Sequence, residues 1–301
     1  MNAIATRIAG RGLAALAAGL VWCSVNVGIA AEIVEQSQPR IVSLAPHLTE
    51  LAFDAGMGDL LVGVVEWSDY PAAAASLPRI GDAFRFDLER ILRLDATHAL
   101  AWGGGTPRDA IAGLEALGVT VQVIEITTLD EIADAIERLG SLGGRPDAAT
   151  RAAAEFRARL AQFRARREPA RRATSIFYQV SERPLFTLGA KHVINEVLAL
   201  CDGVNVFDDL NTEAASVDLE AVLARDPMAI VIGGDEGSES ETLWASYQDL
   251  RAVACDNILH VDPALLVRPT PRVLDGARKL CAWLDEAAGH AEDSACRIDR
   301  D

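Results

Sequence analysis

Short apolar runs alternate with segments of helical periodicity along most of this chain. Four to six consecutive apolar or β-branched residues predict buried strands, and longer segments with apolar residues three and four apart predict amphipathic helices. Because the two kinds of element alternate, the pattern favours an α/β fold with parallel sheets. The predicted strands are residues 40–44, 61–65, 98–102, 119–124, 175–180, 228–232 and 257–261, and the predicted helices are 50–55, 88–94, a segment ending at 117, 129–142, 192–201, 219–225 and 271–288.

Small polar residues indicate where three of these helices begin. Thr49, Asp87 and Asp218 each precede a helical pattern. Their side-chain oxygens can accept hydrogen bonds from the free N–H groups of a first helical turn. We therefore expect each of the three to be an N-cap.

A long segment rich in alanine and arginine separates two sets of elements. Residues 146–167 carry no proline or glycine after Pro146. About 22 helical residues would span roughly 33 Å at the usual rise per residue. Such a helix could join two lobes as one rigid rod, and the alternative is an ordinary surface helix.

The sequence also repeats one order of elements on either side of this segment. Residues 87–95 (DLERILRLD) and 218–226 (DLEAVLARD) are each followed by a strand and a Gly-Gly pair. The ordered repetition indicates two duplicated lobes. Two α/β lobes joined by a rod would leave a ligand cleft between them.

The first 31 residues have the pattern of a secretory signal peptide. Arg7 and Arg11 precede an apolar run from Leu13 to Trp22, and small residues follow up to Ala30 and Ala31. The run is too short to span a membrane comfortably, so cleavage near Ala30 or Ala31 is expected.

Charge excludes some classes of partner. The formal net charge is −16, and removing Arg7 and Arg11 would make it about −18. A strongly acidic surface disfavours nucleic acid and anionic membranes, since both bind basic patches.

Motifs typical of enzymes do not occur in the sequence. It contains no G-x-S-x-G, no G-x-G-x-x-G and no phosphate-binding loop. The five histidines are scattered without an i,i+4 pair, so neither a metal site nor a catalytic centre is predicted; they are His47, His98, His192, His260 and His290.

Aromatic residues, which are scarce in this chain, lie just beyond predicted strand ends. They are Trp67, Tyr70, Phe84, Trp102 and Phe186. In α/β sheets, ligands bind outside the carboxyl ends of the strands. Aromatic rings at that edge could lie flat against a large planar ligand.

Several motifs, in one order along the whole chain after the signal peptide, resemble those of the periplasmic vitamin B12-binding proteins. This family belongs to the helical-backbone (class III) periplasmic binding proteins, which share their architecture with siderophore and haem binders. The motifs are Arg40–Leu51 (RIVSLAPHLTEL), Trp67–Pro71 (WSDYP), Leu88–Ile91 (LERI), Ala101–Trp102, Leu117–Val119, Leu200–Phe207 (LCDGVNVF) and Arg268–Arg272 (RPTPR).

The resemblance implies two Rossmann-like lobes with central sheets, joined by one long rigid backbone helix. The expected division is a signal peptide at 1–31, an N-terminal lobe at 32–145, the connecting helix at 146–168 and a C-terminal lobe at 169–301. A stiff connecting helix also implies little lobe closure when ligand binds. The mature protein is expected to be a periplasmic monomer without enzymatic activity.

The resemblance also implies a function and a binding site. The cleft would bind a corrinoid such as cobalamin, with no cofactor and no metal of its own, and deliver it to the permease and ATPase of an ABC importer. A ferric siderophore or haem is the alternative ligand, and a periplasmic metal-dependent enzyme is the alternative class. The residues expected in the ligand site are Trp67, Ser68, Tyr70, Phe84, Trp102, Phe186 and Arg268.

Two further pairs of residues have implied roles. Glu89 and Glu220, one in each lobe, would dock on the permease, although each could simply stabilise the N-terminus of its helix. Four cysteines follow the signal peptide, at 201, 255, 281 and 296, and spacing alone leaves three pairings open. The resemblance implies a disulfide between Cys201 and Cys281.

The chain departs from the family's pattern at three places in the pocket. Ala83 and Ala214 stand where tryptophans occur in the family, and Ala264–Val267 replaces an aromatic and acidic loop. The predicted pocket therefore has fewer rings and a more apolar wall.

Overall fold

A computed structural model describes residues 38–82, 84–166, 173–234 and 243–290, with the side chains of 288–290 left out. The helices are α1 Pro46–Asp54, α2 Leu88–Arg93, α3 Arg108–Ala116, α4 Leu129–Leu142, α5 Pro146–Arg166, α6 Ile194–Leu200, α7 Leu219–Arg225, α8 Arg251–Ala254, α9 Pro263–Leu266 and α10 Val273–His290. The strands are β1 Ile41–Ser43, β2 Leu61–Val64, β3 His98–Trp102, β4 Thr120–Ile124, β5 Thr174–Glu182, β6 Leu185–Leu188, β7 Gly203–Asn205, β8 Ala214–Ser216, β9 Ala229–Gly233 and β10 Ile258–Val261. The signal peptide lies outside the described residues.

The strands form two sheets. The first is parallel, in the order β2-β1-β3-β4. The second sheet has the order β10-β9-β5-β6-β8, and β7 also pairs with β5. The β10-β9, β9-β5 and β7-β5 pairs are parallel, whereas the β5-β6 and β6-β8 pairs are antiparallel. This architecture confirms the predicted α/β class with two sheets and a long helix.

The long helix α5 contacts elements on both sides of it. Its buried stripe, Ala149, Ala153, Phe156 and Leu160, packs into the main core. Gly140 of α4 permits this packing, because a Cβ added there would lie only 2.1 Å from the Cβ of Ala149.

Charged side chains extend the contacts of α5 to both lobes. Arg157 hydrogen-bonds Glu137 of α4 at 2.9 Å, and Arg159 bonds Asp275 of α10 at 2.8 Å. Exposed pairs of this kind contribute little stability each, but they fix the position of the helix against α4 and α10. The contacts agree with a connecting helix better than with an isolated surface helix.

The two lobes share one hydrophobic core. A single cluster of buried side chains includes Leu51 of α1, Ile136 of α4, Ile194 of α6 and Leu280 of α10. Two smaller clusters surround Ile91 and Trp244. Because the main cluster contains residues of both lobes, the lobes are packed against each other.

The cap predictions had mixed outcomes. The Asp87 side chain accepts the N–H of Arg90 at 2.9 Å, which confirms that cap. Helix α7 begins after Asp218 as predicted, but that side chain makes no capping bond. The Thr49 prediction is wrong: α1 begins at Pro46, whose fixed φ suits a first helical position, and Thr49 is buried inside the helix.

The sequence pattern did not predict the shortest strands and helices. Strands β7 and β8 have three residues each, and α8 and α9 have four, which is too short for periodicity to appear. The β5-β6 hairpin was missed because its second strand follows Pro184 directly.

Candidate ligand-binding cleft

The carboxyl ends of the strands in the first sheet carry the residues of the candidate site. Strand β1 leads into His47, β2 leads into the loop with Trp67 and Tyr70, and β3 ends at Trp102. These strands are parallel neighbours, so their ends meet at one edge. This is the edge at which open α/β sheets bind ligands.

Trp67 is held in an uncommon backbone conformation with its ring in solvent. Its φ is 64°, in the left-handed region, and its side chain is 77 % exposed. It lies in a turn closed by the Ser68 N–H and the Val65 carbonyl at 3.3 Å. A left-handed non-glycine residue costs on the order of 1 kcal/mol, so the surrounding contacts must hold it there.

Those contacts come from beneath the turn. The Ser68 hydroxyl is fully buried and lies 3.1 Å from the Thr49 hydroxyl, which in turn lies 2.9 Å from that of Ser43. Arg79 donates to the carbonyl of Ser68 at 3.0 Å. Ser68 therefore anchors the turn from below and lines no part of the cleft surface.

Arg268 connects the second lobe to this turn. Its guanidinium donates to Glu50 at 3.1 Å, to Asp69 at 3.0 Å and to the carbonyl of Trp67 at 3.1 Å. Glu50 is only 2 % exposed, and it also accepts two hydrogen bonds from Arg272, at 2.9 and 2.8 Å.

Tyr70 completes this inter-lobe contact. The guanidinium of Arg272 lies 3.9 Å from the centre of the Tyr70 ring, a cation–π geometry. We call Glu50, Asp69, Tyr70, Arg268 and Arg272 the inter-lobe clasp.

A cleft of about 430 Å³ lies beside the clasp. It is lined by Trp67, Asp69 and Tyr70 from the first lobe and by Asp262, Pro263, Ala264, Val267, Arg268 and Arg272 from the second. The structure thus brings together three of the predicted ligand residues, Trp67, Tyr70 and Arg268. The apolar wall expected from 264–267 is present as Ala264 and Val267.

Trp102 lies deeper, against a histidine. The rings of His47 and Trp102 meet edge to face with centroids 5.6 Å apart. His47 is 7 % exposed, and burial, Arg268 and His192 lower its pKa to about 3. Burial also lowers the pKa of His192 to about 4, so both imidazoles are neutral near pH 7.

Two glycines after β3 leave room for neighbouring side chains, one from the first lobe and one from the second. A Cβ on Gly105 would lie 2.1 Å from the Trp102 ring, and one on Gly104 would lie 2.2 Å from a carboxylate oxygen of Glu213 in the second lobe. Burial and the charge of Glu125 raise the pKa of Glu213. An acidic group therefore lies where these strand ends face each other.

The two remaining predicted aromatics lie apart from the 430 Å³ cleft. Phe84 is 69 % exposed in a loop whose Asp82 carboxylate accepts the N–H groups of Phe84 and Arg85, both at 2.8 Å. Phe186 is half-buried in β6, opposite Ser216 of β8. Like Trp102, they do not belong to the lining of the cleft.

Comparison with known proteins decides the family. A family model described as periplasmic binding protein matches residues 41–262. The chain belongs to the periplasmic binding protein family. Relatives in this family are binding proteins, which agrees with the resemblance in the sequence motifs.

Curated relatives extend over most of this periplasmic binding protein. It is 39 % identical over 249 residues to the vitamin B12-binding protein of Vibrio cholerae serotype O1, covering 81 % of this chain and 88 % of that protein. It is 34 % identical to the vitamin B12-binding protein of Pectobacterium carotovorum, with the same two coverages.

Solved structures show the same fold. The periplasmic vitamin B12 binding protein of Vibrio cholerae superposes with a TM-score of 0.76 at 39 % identity, covering 83 % of this chain and 98 % of that one. The periplasmic heme-binding protein of Roseiflexus sp. RS-1 gives a TM-score of 0.74 at 26 % identity, covering 84 % and 100 %.

The predicted disulfide is present in this periplasmic binding protein. Cys201 and Cys281 are bonded, with Cα atoms 4.6 Å apart, and join the end of α6 to α10. Cys255 is buried after α8, and Cys296 lies outside the described residues. The bond confirms the pairing that the family resemblance implied.

Glu89 and Glu220 occupy equivalent places in the two lobes. Each is the second residue of its helix, α2 or α7, and each is exposed. Glu89 lies 3.8 Å from Arg93 in an exposed pair. Such a pair contributes little to stability.

Sequence reasoning missed three members of the clasp: Glu50, Asp69 and Arg272. A signal was present, because Arg268 and Arg272 are four residues apart and Glu50 lies in a recognised motif. Their contacts join residues 199 to 222 positions apart, and no local pattern in the sequence can show such a pairing.

The described residues contain neither a candidate metal site nor a helix that could span a membrane. Within 38–82, 84–166, 173–234 and 243–290, no group of three or more His, Cys, Asp and Glu residues could hold a metal ion. No helix in the same ranges has the length and apolar character needed to cross a bilayer.

Proposed function

We propose that this periplasmic binding protein captures a corrinoid such as vitamin B12 between its lobes and delivers it to an ABC importer. The observation that carries the proposal is the 39 % identity to a vitamin B12-binding protein along nearly the whole of that protein. The motifs that resemble those of the family include Trp67 and Arg268, and both residues line the cleft.

The charges in the cleft support this ligand class over haem or an anionic siderophore. Both arginines of the clasp are already paired, since Glu50 and Asp69 accept their hydrogen bonds. A haem propionate would need unpaired cations, whereas a corrinoid presents uncharged amides around its ring. Asp69 and Asp262 in the lining would repel an anion.

Ring stacking supports the same class. Trp67 and Tyr70 line the cleft, and Trp102 ends β3 at the same edge of the sheet. Each ring that lies flat against the ligand would add about 0.5–1.5 kcal/mol to the area it buries. Trp67 needs no rearrangement for this, because its ring is already exposed.

The test is a titration of the purified mature protein with cyanocobalamin, a haem and a ferric siderophore, followed by tryptophan quenching. We expect saturable quenching by cyanocobalamin at a much lower concentration than by the other two. Tight binding of haem with no response to any corrinoid would replace the proposed ligand by the second candidate. That candidate has structural relatives in its favour, among them two heme-binding proteins that are each 26 % identical to this chain.

Export and docking complete the proposal. Cleavage near Ala30 or Ala31 would release the mature protein into the periplasm, and N-terminal sequencing of the exported protein tests this. Glu89 and Glu220 would contact the permease of the importer, whose ATPase powers transport. Their equivalent, exposed positions in two duplicated lobes suit a pseudo-symmetric partner.

We further infer that the lobes, proposed at 32–145 and 169–301 with the helix at 146–168 between them, move little when ligand binds. Three features support this: α5 contacts both lobes, the main core is shared, and the clasp joins the lobes directly. Structures with and without cyanocobalamin should superpose without a large lobe rotation.

A further inference from the structure

The side chain of Arg79 binds both ends of the turn that carries Trp67. Its Nη1 atom donates to the carbonyl of Val65 at 3.1 Å and to the carbonyl of Ser68 at 3.0 Å. The Val65 carbonyl also closes the turn, because it accepts the N–H of Ser68 at 3.3 Å. One nitrogen atom therefore bridges the carbonyls that lie before and after Trp67 in the chain.

The backbone of Arg79 is fixed beside the strand that leads into this turn. Val64 and Arg79 form a parallel bridge. The N–H of Val64 donates to the carbonyl of Pro78 at 2.9 Å, and that of Ile80 donates to the carbonyl of Val64 at 3.0 Å. Ile80 is fully buried. The guanidinium therefore reaches the turn from a backbone that has little freedom to move.

The guanidinium of Arg79 bonds to the turn alone. The residue is half-buried, and within the described ranges its side chain donates only to the carbonyls of Val65 and Ser68. Hydrogen bonds with a charged donor are stronger than those between neutral groups. The charge of Arg79 therefore acts on the turn and is not shared with a surface ion pair.

Trp67 needs this support because its own backbone conformation is unfavourable. Its φ of 64° lies in the left-handed region that residues with a Cβ avoid. Its side chain is 77 % exposed, so few packing contacts fix the ring. A ring that sampled other positions would have to be ordered when the ligand binds, and this ordering would reduce the affinity.

Arg79 differs in one respect from Arg268, the other arginine that binds this turn. Arg268 donates to the carbonyl of Trp67 at 3.1 Å, and it also lines the cleft, where it can touch a ligand. Arg79 is not among the residues that line the 430 Å³ cleft. An effect of Arg79 on ligand binding must therefore pass through the turn.

We propose that Arg79 is a positioning residue for ligand binding, which holds the Trp67 ring ready for the ligand by bonding the carbonyls of Val65 and Ser68. The proposal rests on the corrinoid-binding function proposed above. It adds to the site a residue that acts without touching the ligand, and it assigns part of the affinity to the order of the empty site.

The test is a double-mutant cycle between Arg79 and Trp67. The variants are Arg79→Met, Trp67→Gly and the two combined. Cyanocobalamin affinity is measured by equilibrium dialysis, which does not depend on tryptophan fluorescence, and urea unfolding reports the stability of each protein.

Two further variants separate positioning from a general structural effect. Arg79→Lys is the conservative variant, because one nitrogen atom makes both bonds and a lysine ammonium has three donors to replace it. Arg40→Met is the matched control. Arg40 also binds a backbone carbonyl, that of Leu94, at 2.9 and 2.7 Å, but it precedes β1 at the end of the strand away from the cleft.

We expect Arg79→Met to bind cyanocobalamin about 10-fold more weakly than wild type, as it would if about one molecule in ten presented the ring correctly. Adding Arg79→Met to Trp67→Gly should change the affinity by no more than about two-fold, because the ring that Arg79 positions is then absent. Arg79→Lys should stay within about three-fold of wild type. Arg40→Met should bind as wild type does, even if it is less stable.

Several results would contradict the proposal. Unchanged affinity in folded Arg79→Met refutes the positioning role, and an equal loss in Arg40→Met shows that losing any such arginine weakens binding. Losses that multiply in the combined variant show that Arg79 affects binding by a route other than Trp67. Failure of wild type to bind any corrinoid refutes the proposed function instead.

A second measurement decides the matter even if Arg79→Met does not fold. Structures of wild type with and without cyanocobalamin should show the same left-handed Trp67 and the same two bonds from Arg79. A turn that rearranges when the ligand binds would refute the proposal, because the ring would then not be positioned beforehand.

Discussion

The carboxylate of Glu50 accepts two parallel hydrogen bonds from the guanidinium of Arg272, 2.9 Å from Nε and 2.8 Å from Nη2. The two residues are 222 positions apart and belong to different lobes. Bidentate pairs of this geometry are among the stronger protein hydrogen bonds. Glu50 also accepts from Arg268, so one buried carboxylate joins two cations.

Glu50→Gln should therefore destabilise the protein by about 3 kcal/mol or more, because removing one partner leaves buried charges uncompensated. Urea unfolding of wild type and variant measures the change. Glu115→Gln, at an exposed position of α3, serves as the control and should stay within about 0.5 kcal/mol of wild type. A Glu50→Gln protein as stable as wild type would show that the clasp adds nothing to the lobe contact.

Trp67→Gly should separate binding from stability. Glycine adopts a φ of 64° without strain, so stability should be unchanged or rise by up to about 1 kcal/mol. Loss of the exposed ring should weaken cyanocobalamin binding by about 10-fold or more. Trp67→Phe keeps a ring and Leu117→Ala removes an exposed apolar group elsewhere, so both should bind nearly as wild type does. Unchanged affinity in Trp67→Gly would remove Trp67 from the site.

The Cys201–Cys281 bond closes a long loop, with a sequence separation of 80. Replacing both cysteines by serine should lower the free energy of unfolding by about 2–5 kcal/mol, since the unfolded chain regains the freedom that the bond removes. Thermal or urea unfolding under non-reducing conditions measures this. A double variant as stable as wild type would mean that native strain offsets the entropic effect.

Acid should destabilise the folded protein through His47 and His192. Folding lowers their pKa values from 6.5 to about 3 and about 4. Below pH 6.5 the unfolded chain therefore binds more protons at these two residues than the folded chain does. The stability from these groups is complete above pH 6.5 and decreases by about 1.4 kcal/mol per pH unit for each histidine towards pH 4.

Urea unfolding at several pH values tests this, with His47→Gln as the comparison. The variant should lose stability less steeply than wild type between pH 6 and 4. Asp54, whose pKa is raised to about 6 by burial and by Glu50, acts in the opposite direction but equally in both proteins. Identical slopes would show that His47 is protonated in the folded state.

Charge reversal at Glu89 and Glu220 should separate capture from delivery. Glu89→Lys with Glu220→Lys should leave cyanocobalamin affinity within about two-fold of wild type, because both side chains are exposed on helices away from the lining residues. Uptake through the importer should fall sharply, because both of the proposed docking residues would then carry the opposite charge. Glu115→Lys, which makes one such charge reversal on an exposed part of α3, is the control, and normal uptake by the double variant would exclude the two glutamates from docking.

Much of the secondary structure could be predicted from local sequence patterns. The apolar run of 98–102 is β3, and the periodic segment 129–142 is α4 with the same bounds. The Asp-Leu-Glu repeats at 87–89 and 218–220 begin α2 and α7, and Asp95 and Asp226 end those repeats with left-handed φ values of 50° and 44°. Each of these features depends on neighbours within a few positions, so the sequence carries it directly.

The residues of the candidate site could be predicted from the sequence only in part. Trp67, Tyr70 and Arg268 were expected near each other on a motif resemblance, and the structure places them together around one cleft. Ser68 was expected to meet the ligand, yet its hydroxyl is buried with Thr49. Polarity shows that a residue can hydrogen-bond, but not whether its partner is a ligand or the protein.

The sequence by itself determined the alternation of strands and helices, the long helix and, through its motifs, the family. Only the tertiary structure decided that Glu50 binds Arg268 and Arg272, that Trp67 is exposed in a strained turn, and that burial lowers the pKa values of His47 and His192. The reason is physical. Periodicity and capping are set by residues within one or two turns, whereas pairing of charges and burial of imidazoles depend on how distant segments pack around a shared core.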